Sequence, residues 1–187
     1  MDLLSSIADA VWFFLPAMLP NTGAAIFGGG KPIDMGRMWR GNRLLGDGKT
    51  WRGLFTGILS GVLLGYLESL IGAFIGGPVS AVYRISPYIL PVLLSLSAGS
   101  MLGDICGAFV KRRMGLEKGA SVPILDQYDF AAGAFLLALL VSTGSVMRFL
   151  IDGYALAGFA VALIIIYPLH RIINYIGYRR GLKSVPW

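Results

Sequence analysis

Five separate stretches of this chain are long enough and apolar enough to cross a lipid bilayer, and this property constrains its fold most. A helix that crosses a bilayer needs about 20 mainly apolar residues. The stretches cover roughly residues 4–27, 54–75, 88–110, 130–150 and 155–175. Because a bilayer offers no water to backbone polar groups, such spans fold as helices. The sequence therefore predicts an all-α integral membrane bundle of five transmembrane helices, in a single polytopic domain of residues 1–187.

The composition agrees with this class. Apolar residues make up 56% of the chain and charged residues 14%, against about 25% charged residues in a typical soluble domain. These values exclude an ordinary soluble enzyme and a disordered chain. The single cysteine, Cys106, cannot form an internal disulfide, and we expect it to be a buried thiol.

The first span is interrupted by two prolines, Pro16 and Pro20. Proline lacks a backbone N–H and clashes with the preceding turn, so we expect a kink or a broken helix there. Asp2 and Asp9 stand where a cleaved signal peptide would carry basic residues, and this argues against such a peptide.

Basic residues are concentrated on one side of the predicted bundle. Fourteen of the sixteen Lys and Arg residues lie in segments 27–52 and 111–129 and in the tail that starts at residue 171. The positive-inside rule assigns that side to the cytoplasm. We therefore expect a multi-pass protein of the cell membrane, with its N-terminus outside and its C-terminus cytoplasmic. The basic residues are divided among short loops, which argues against nucleic-acid binding.

Glycines recur every four residues on two of the predicted spans. Four-residue spacing places small residues on one helix face, where they allow close packing in lipid. We expect tight contacts between spans two and three or across a homodimer interface. The two sets are Gly53, Gly57, Gly61 and Gly65, and Gly99, Gly103 and Gly107.

Three aspartates are expected to meet at the cytoplasmic end of the bundle. Asp104 lies inside an apolar span, within two turns of its cytoplasmic end, and an ionisable residue there is a candidate for function. Asp126 and Asp129 are three residues apart at the start of the fourth span, so both carboxylates would point the same way. Carboxylates suit Mg²⁺, which bridges phosphates. The pattern predicts a site for a metal-bound polyphosphate at the membrane surface.

Three other polar residues leave alternatives open. Asn21 either caps freed backbone groups or touches a ligand. Glu68 either forms a pair within the bundle or lines a polar cavity. His170 favours a packing or headgroup role over catalysis.

The polar motifs resemble those of a known enzyme group. Gly103-Asp104, Lys111-Arg112, Lys118, Pro123 and the run from Leu125 to Asp129 resemble the signature of membrane CTP-transferases of the phosphatidate cytidylyltransferase type. The His-Gly-Gly of the bacterial form is missing, and Gln127 stands in place of its Arg. Gly30 to Asp34 and Gly48 to Gly53 resemble instead the archaeal branch, the CDP-archaeol synthase family.

This resemblance implies transfer of CMP from CTP to 2,3-bis-O-(geranylgeranyl)-sn-glycerol 1-phosphate, an isoprenoid ether-lipid phosphate, with Mg²⁺ as cofactor and diphosphate as the second product. The implied catalytic residues are Lys111 and the three aspartates, Asp104, Asp126 and Asp129, which would also bind the metal. The implied contacts to CTP or to the lipid phosphate are Asn21, Lys31, Asp34, Gly48, Lys49, Thr50, Arg52, Arg112 and Lys118.

Two other functions remain open from the sequence. A CTP-dependent polyprenol kinase would use similar contacts to CTP but would transfer the γ-phosphate to a lipid alcohol. A non-enzymatic transporter would instead carry ionisable residues near the bilayer midplane, often on paired repeats.

Overall fold

A computed structural model describes residues 3–75, 89–117, 119–141, 143, 144, 146 and 155–182. Within these residues the chain forms six helices and one short antiparallel hairpin. The elements are α1 (Leu3–Met18), α2 (Pro20–Phe27), β1 (Met38–Trp39), β2 (Asn42–Arg43), α3 (Trp51–Ile75), α4 (Ile89–Arg113), α5 (Pro123–Val141) and α6 (Ala155–Arg179).

Five helical segments are long and apolar enough to cross a membrane, as the sequence predicts. The first consists of α1 and α2 together, and the others are formed by α3, α4, α5 and α6. The prediction of a mostly helical protein with five candidate spans is therefore confirmed. The hairpin of β1 and β2, only two residues on each strand, is the one exception among the described residues.

The first span is broken, as its prolines predict. Pro16 lies inside α1, and Pro20 begins α2 after Leu19, which belongs to neither helix. Proline suits the first position of a helix because the N–H that it lacks would have no partner there. The break gives the first span a separate short helix at one end of the bundle.

The hydrophobic core is formed around α1, which packs against α3, α4, α5 and α6. Its centre contains large side chains that are at most 1% exposed and come from α1, α4, α5 and α6. These side chains are Phe14, Leu93, Leu96, Phe130 and Ile166. Interlocking side chains from four helices fix the relative positions of the helix ends that carry the polar residues.

Both glycine faces are occupied within a single chain. On α3, Gly57 lies against α2 and α4, and Gly65 lies against α4, in agreement with the predicted contact of spans two and three. The glycines of α4 pack on α5 instead, where Gly99 faces the backbone of Gly133. The spacing therefore does not require a second copy of the chain.

One face of α4 is exposed along its length. Leu102 is 47% exposed, Val110 is 42% exposed, and Cys106 between them is also exposed. The prediction that Cys106 is buried is therefore wrong. Residues spaced in this way share one face of a helix, and an exposed apolar face of a membrane span faces lipid.

Candidate active site

A cavity of about 670 Å³ lies at one end of the bundle, within the size range of small-molecule sites. It is surrounded by α2, the first turns of α3 and α5, and the last turns of α4 and α6, together with the loop between α2 and α3. Nine of the residues that the sequence indicates for the site line it: Asn21, Gly48, Lys49, Thr50, Asp104, Lys111, Arg112, Asp126 and Asp129.

The three aspartates reach this cavity from two neighbouring helices. Asp104 lies about two and a half turns before the end of α4, and Asp126 and Asp129 lie in the first two turns of α5. The two helices pack closely through glycine, which brings the end of one beside the start of the other. Asp126 and Asp129 both line the cavity, as their three-residue spacing predicts.

Two of these carboxylates are paired with lysines. Lys49 donates to Oδ2 of Asp104, and Nζ of Lys111 lies 2.7 Å from Oδ1 of Asp126. The third carboxylate, that of Asp129, accepts the N–H of Phe130 at 2.6 Å and forms no salt bridge with a described residue. The cavity thus presents two lysine amines that carboxylates hold in place and one carboxylate without a cationic partner among those residues.

The backbone on both sides of Lys49 is fixed by local hydrogen bonds. The hydroxyl of Thr50 accepts the N–H of Gly53 at 3.0 Å and so caps the start of α3. The N–H of Ile33 donates to the carbonyl of Lys49 at 2.8 Å, and the N–H of Trp51 donates to that of Lys31 at 3.2 Å. These bonds hold the side chain of Lys49 at the cavity wall.

Asp34 stabilises the loop between α2 and α3 from the inside. Its fully buried carboxylate accepts two hydrogen bonds from Arg43, at 2.7 and 3.2 Å, and the N–H groups of Gly36, Leu45 and Gly46 at 3.0 to 3.1 Å. The Arg43 guanidinium, with these N–H groups, lowers the pKa of Asp34 well below its usual range despite the opposing effect of burial. This position gives Asp34 a structural role and does not support the predicted contact with substrate.

The last turn of α4 carries three basic residues that point to different partners. Lys111 pairs with Asp126 in the cavity. Arg112 also lines the cavity, and its Nη2 donates to the carbonyl of Glu117 at 2.9 Å. Arg113 turns to the hairpin, where its Nη1 donates to the carbonyl of Trp39 at 2.6 Å.

The other residues that the sequence predicts to contact substrate do not all line the cavity. Lys31 and Arg52 are exposed and do not line the cavity, although each is adjacent to a lining segment. Lys118 lies outside the described residues. Asn21 lines the cavity, so of its two alternatives the ligand-facing position fits the structure.

The C-terminal helix contributes two polar residues to which the sequence assigned no place in the site: His170 was given a packing or headgroup role, and Asn174 was not singled out. His170 and Asn174 of α6 line the cavity, and Nδ1 of His170 lies 3.1 Å from Oε1 of the buried Gln127. The ring of Phe130 lies against that of His170, with 4.4 Å between centroids. A signal was present, because residues four apart share a helix face, and a His and an Asn at that spacing are unusual near the end of an apolar span.

Among the described residues, the structure shows neither a pairing partner for Glu68 nor a place for it in the cavity above. It is 3% exposed, and neither carboxylate oxygen has a hydrogen-bond partner among the described residues. It also does not line the cavity described above.

The carboxylates do not converge on a single point. Among the residues that the structure describes, no three His, Cys, Asp or Glu side chains lie close enough together to bind one metal ion. The donors nevertheless fit Mg²⁺, because this ion is commonly bound through one or two carboxylates together with water and substrate phosphates. Three carboxylates line this one cavity, so one or two of them can bind Mg²⁺ together with the phosphates of a bound substrate.

Comparison with known proteins gives a consistent result. The family model described as "CarS-like: CDP-archaeol synthase" matches residues 3–187. A CDP-archaeol synthase of Methanosphaerula palustris is 49% identical over 174 residues, which is 92% of this chain and 99% of the relative. A CDP-archaeol synthase of Thermococcus kodakarensis is 40% identical over 189 residues, with all of both chains covered.

A solved structure is also similar. It is described as giving insight into an intramembrane enzyme for archaeal membrane lipids biosynthesis. The TM-score is 0.66 at 31% sequence identity, and the match covers 88% of this chain and 92% of that one.

Proposed function

The chain belongs to the CDP-archaeol synthase family, and from that premise we propose that it transfers the cytidylyl group of CTP to 2,3-bis-O-(geranylgeranyl)-sn-glycerol 1-phosphate. The products are the CDP-linked lipid and diphosphate. The observation that carries this proposal is the meeting of carboxylates, lysines and an arginine in one cavity at the end of an apolar bundle. A water-soluble nucleotide and a membrane lipid can both reach such a site.

The reaction is a phosphoryl-type substitution. An oxygen of the lipid phosphate attacks the α-phosphorus of CTP, the bond from that phosphorus to the bridging oxygen of the β-phosphate breaks, and diphosphate leaves with the electron pair. Substitutions of this kind need positioning and charge stabilisation more than covalent help from the protein.

The cationic side chains of the cavity supply that stabilisation. Lys49 and Lys111 are held at the wall by carboxylates, so their amines are positioned before substrate arrives. Arg112 adds a guanidinium, which can donate two parallel hydrogen bonds to phosphate oxygens. Lys31 and Arg52 are adjacent in the chain to segments that line the cavity, and we assign to them, together with Lys118, further contacts with CTP or the lipid phosphate.

Mg²⁺ is part of the proposal. Asp104, Asp126 and Asp129 would hold it together with substrate phosphates, because hard carboxylate oxygens match its preference. When bound, it would neutralise charge on the triphosphate and on the departing diphosphate. Removal of divalent ions with EDTA should therefore stop turnover, and added Mg²⁺ should restore it.

We also propose an orientation in the cell membrane. Five spans place the termini on opposite sides, and the positive-inside rule favours a cytoplasmic C-terminus with the N-terminus outside. The cavity would then open to the cytoplasm, where CTP is available. In this proposal residues 1–187 form one domain, and the loops at about 27–53 and 111–129 carry the active site.

The test uses CTP labelled at single phosphorus atoms. Purified protein is incubated with Mg²⁺, the ether-lipid phosphate and CTP labelled at either the α- or the γ-phosphorus. We expect the α-label, and not the γ-label, to enter the lipid, with a mass increase equal to one CMP residue. Transfer of the γ-label would identify a lipid kinase instead, and absence of any product would exclude the proposed enzyme. Competing ester-linked lipid phosphates in the same assay measure the preference for ether lipids.

A further inference from the structure

The hairpin between α2 and α3 presents an unusual combination of exposed side chains. Met35, Met38 and Trp39 are 67%, 59% and 48% exposed, and Arg37 and Arg40 beside them are exposed too. Exposed methionine and tryptophan next to arginine is the composition of a surface that meets lipid headgroups. We refer to residues 35–43 as the interface hairpin.

The backbone of the interface hairpin is bent so that these side chains stay outside. Met35 and Arg40 have positive φ angles of 47° and 52°, the only non-glycine residues in the described chain that do. Gly41 follows Arg40 with a φ of 80°, and two successive positive values make the tight two-residue turn that joins β1 to β2. Holding non-glycine residues in this region costs free energy that surrounding contacts must offset.

Those contacts come from the end of α4. Arg113 donates to the carbonyls of Trp39 and Arg43 at 2.6 and 2.7 Å. Its guanidinium lies over the rings of Trp39 and Phe109, at 5.1 and 5.3 Å from their centroids. The two rings stack on each other with 5.8 Å between centroids, so the hairpin is held firmly against this helix.

The side of α4 that holds the hairpin is the lipid-facing side. Phe109 and Arg113 are half-buried beneath the hairpin and lie on the same side of the helix as the exposed residues Leu102, Cys106 and Val110. Arg113 is the last residue of this candidate span, and we therefore expect the attached hairpin to lie near the headgroups.

The charge of the hairpin is also suited to an anionic bilayer. The charge of Arg43 is balanced by Asp34 and Asp47, at 2.7 and 2.9 Å. Arg37 and Arg40, in contrast, form no salt bridge with a described residue. Two uncompensated arginines beside three exposed apolar side chains complement anionic headgroups and the upper acyl chains.

We propose that the interface hairpin is a bilayer-docking element that lies among the headgroups and gathers anionic lipids beside the cavity. The docking part is independent of the reaction, whereas the gathering of lipid phosphate rests on the proposed function.

Docking is tested by the fluorescence of Trp39 in bilayers of phosphatidylcholine and phosphatidylglycerol. A variant with Trp12→Phe, Trp51→Phe and Trp187→Phe leaves Trp39 as the single tryptophan. We expect lipids brominated near the top of the acyl chain to quench most of its emission and aqueous iodide to quench little. If this variant does not fold, the emission of Trp39 is obtained by subtracting the emission of Trp39→Phe from that of wild type in the same bilayers. Its quenching by brominated lipid and by iodide is then compared in the same way.

The reverse pattern, quenching by iodide and not by brominated lipid, would overturn the docking proposal and would leave the hairpin as a surface for a soluble partner. No catalytic turnover is needed, so failure of the docking proposal and failure of the proposed function can be distinguished.

The gathering of lipid is tested by Arg37→Gln combined with Arg40→Gln. In bilayers that contain phosphatidylglycerol, we expect the apparent KM for the lipid phosphate to rise by about fivefold for each arginine removed, with the KM for CTP unchanged. The matched control, Arg179→Gln combined with Arg180→Gln, removes the same charge from the exposed end of α6. An unchanged lipid KM, or an equal rise in the control, would overturn this part of the proposal even if docking is observed.

Discussion

The backbone of Gly107 in α4 lies directly against the carboxylate of Asp129 in α5. A β-carbon at position 107 would lie 3.0 Å from Cγ and 3.2 Å from Cβ of Asp129, closer than side chains normally approach. The position of this carboxylate in the cavity therefore depends on a glycine in the neighbouring helix.

We expect Gly107→Ala to lower kcat on the order of 10²-fold, because a displacement of about 1 Å in a reacting group can cost that much. The measurement is steady-state formation of CDP-lipid in detergent. Gly144→Ala is the control, since no atom of the described residues lies within 4 Å of the added methyl group there. Equal activity of the two variants would show that the close approach to Asp129 has no catalytic importance.

Asp129→Asn keeps the shape of the side chain and removes its charge. We expect it to abolish detectable CDP-lipid formation, a loss of on the order of 10³-fold, while the protein still inserts and folds. Gel filtration and thermal unfolding in detergent check the fold, and α-labelled CTP measures the reaction. Substantial remaining turnover would remove Asp129 from the mechanism.

Asp34→Asn should loosen the loop between α2 and α3 without direct loss of a substrate contact. The Arg43 guanidinium holds the pKa of Asp34 below its usual range, so the stability that depends on this carboxylate is present above its unfolded pKa of about 3.9. It is lost only as the pH falls through the lowered pKa of the folded protein. The wild-type loop should therefore remain intact on mild acidification.

The readout for Asp34 is limited trypsin digestion in detergent, which detects opening of the loop at Arg37 and Arg40. We expect cleavage of Asp34→Asn at neutral pH to be about tenfold faster than cleavage of wild type, because several charge-assisted hydrogen bonds are weakened. Asp47→Asn is the control, since this carboxylate is 64% exposed and binds only the outer side of Arg43. Equal digestion of Asp34→Asn and wild type would contradict the structural role.

The hydrogen bond between Gln127 and His170 should position the turn of α5 that carries two of the aspartates. Gln127→Ala and His170→Ala should each lower kcat about tenfold, since each removes the hydrogen bond that joins these two buried side chains, and such a bond contributes about 0.5–1.5 kcal/mol.

The double variant of Gln127 and His170 makes this prediction specific. If the two side chains act through each other, the decrease in kcat of the double variant should be close to that of either single variant. Independent effects would instead multiply the two single decreases. Tyr128→Phe is the control, because it removes only a 3.3 Å bond to the carbonyl of Leu163 between the same two helices. Additive losses would indicate that His170 merely packs.

The membrane architecture could be predicted from the sequence because it follows from local properties. Hydropathy and length define the five spans, and Pro16 and Pro20 predict the break between α1 and α2. The position of Asp104 in the same cavity as Asp126 and Asp129 could also be predicted. A helix that ends on one side of a membrane and the next that starts there must place their terminal residues near each other.

The remaining features depend on packing that the sequence pattern does not reveal. Which face of α6 turns towards the cavity is determined largely by its contact with α1, so the position of His170 and Asn174 in the cavity was not predicted. The role of Asp34 depends on Arg43, nine residues away, and on the turns between them. The lysine partners of the carboxylates come from a different loop and helix, and spacing along the chain does not identify them.

The three consecutive basic residues that end α4 bind three different segments of the chain. Neighbouring residues on a helix point about 100° apart, so Lys111 holds α5, Arg112 holds the turn at Glu117, and Arg113 holds the hairpin. A small rotation or shift of this single helix end would strain all three attachments together.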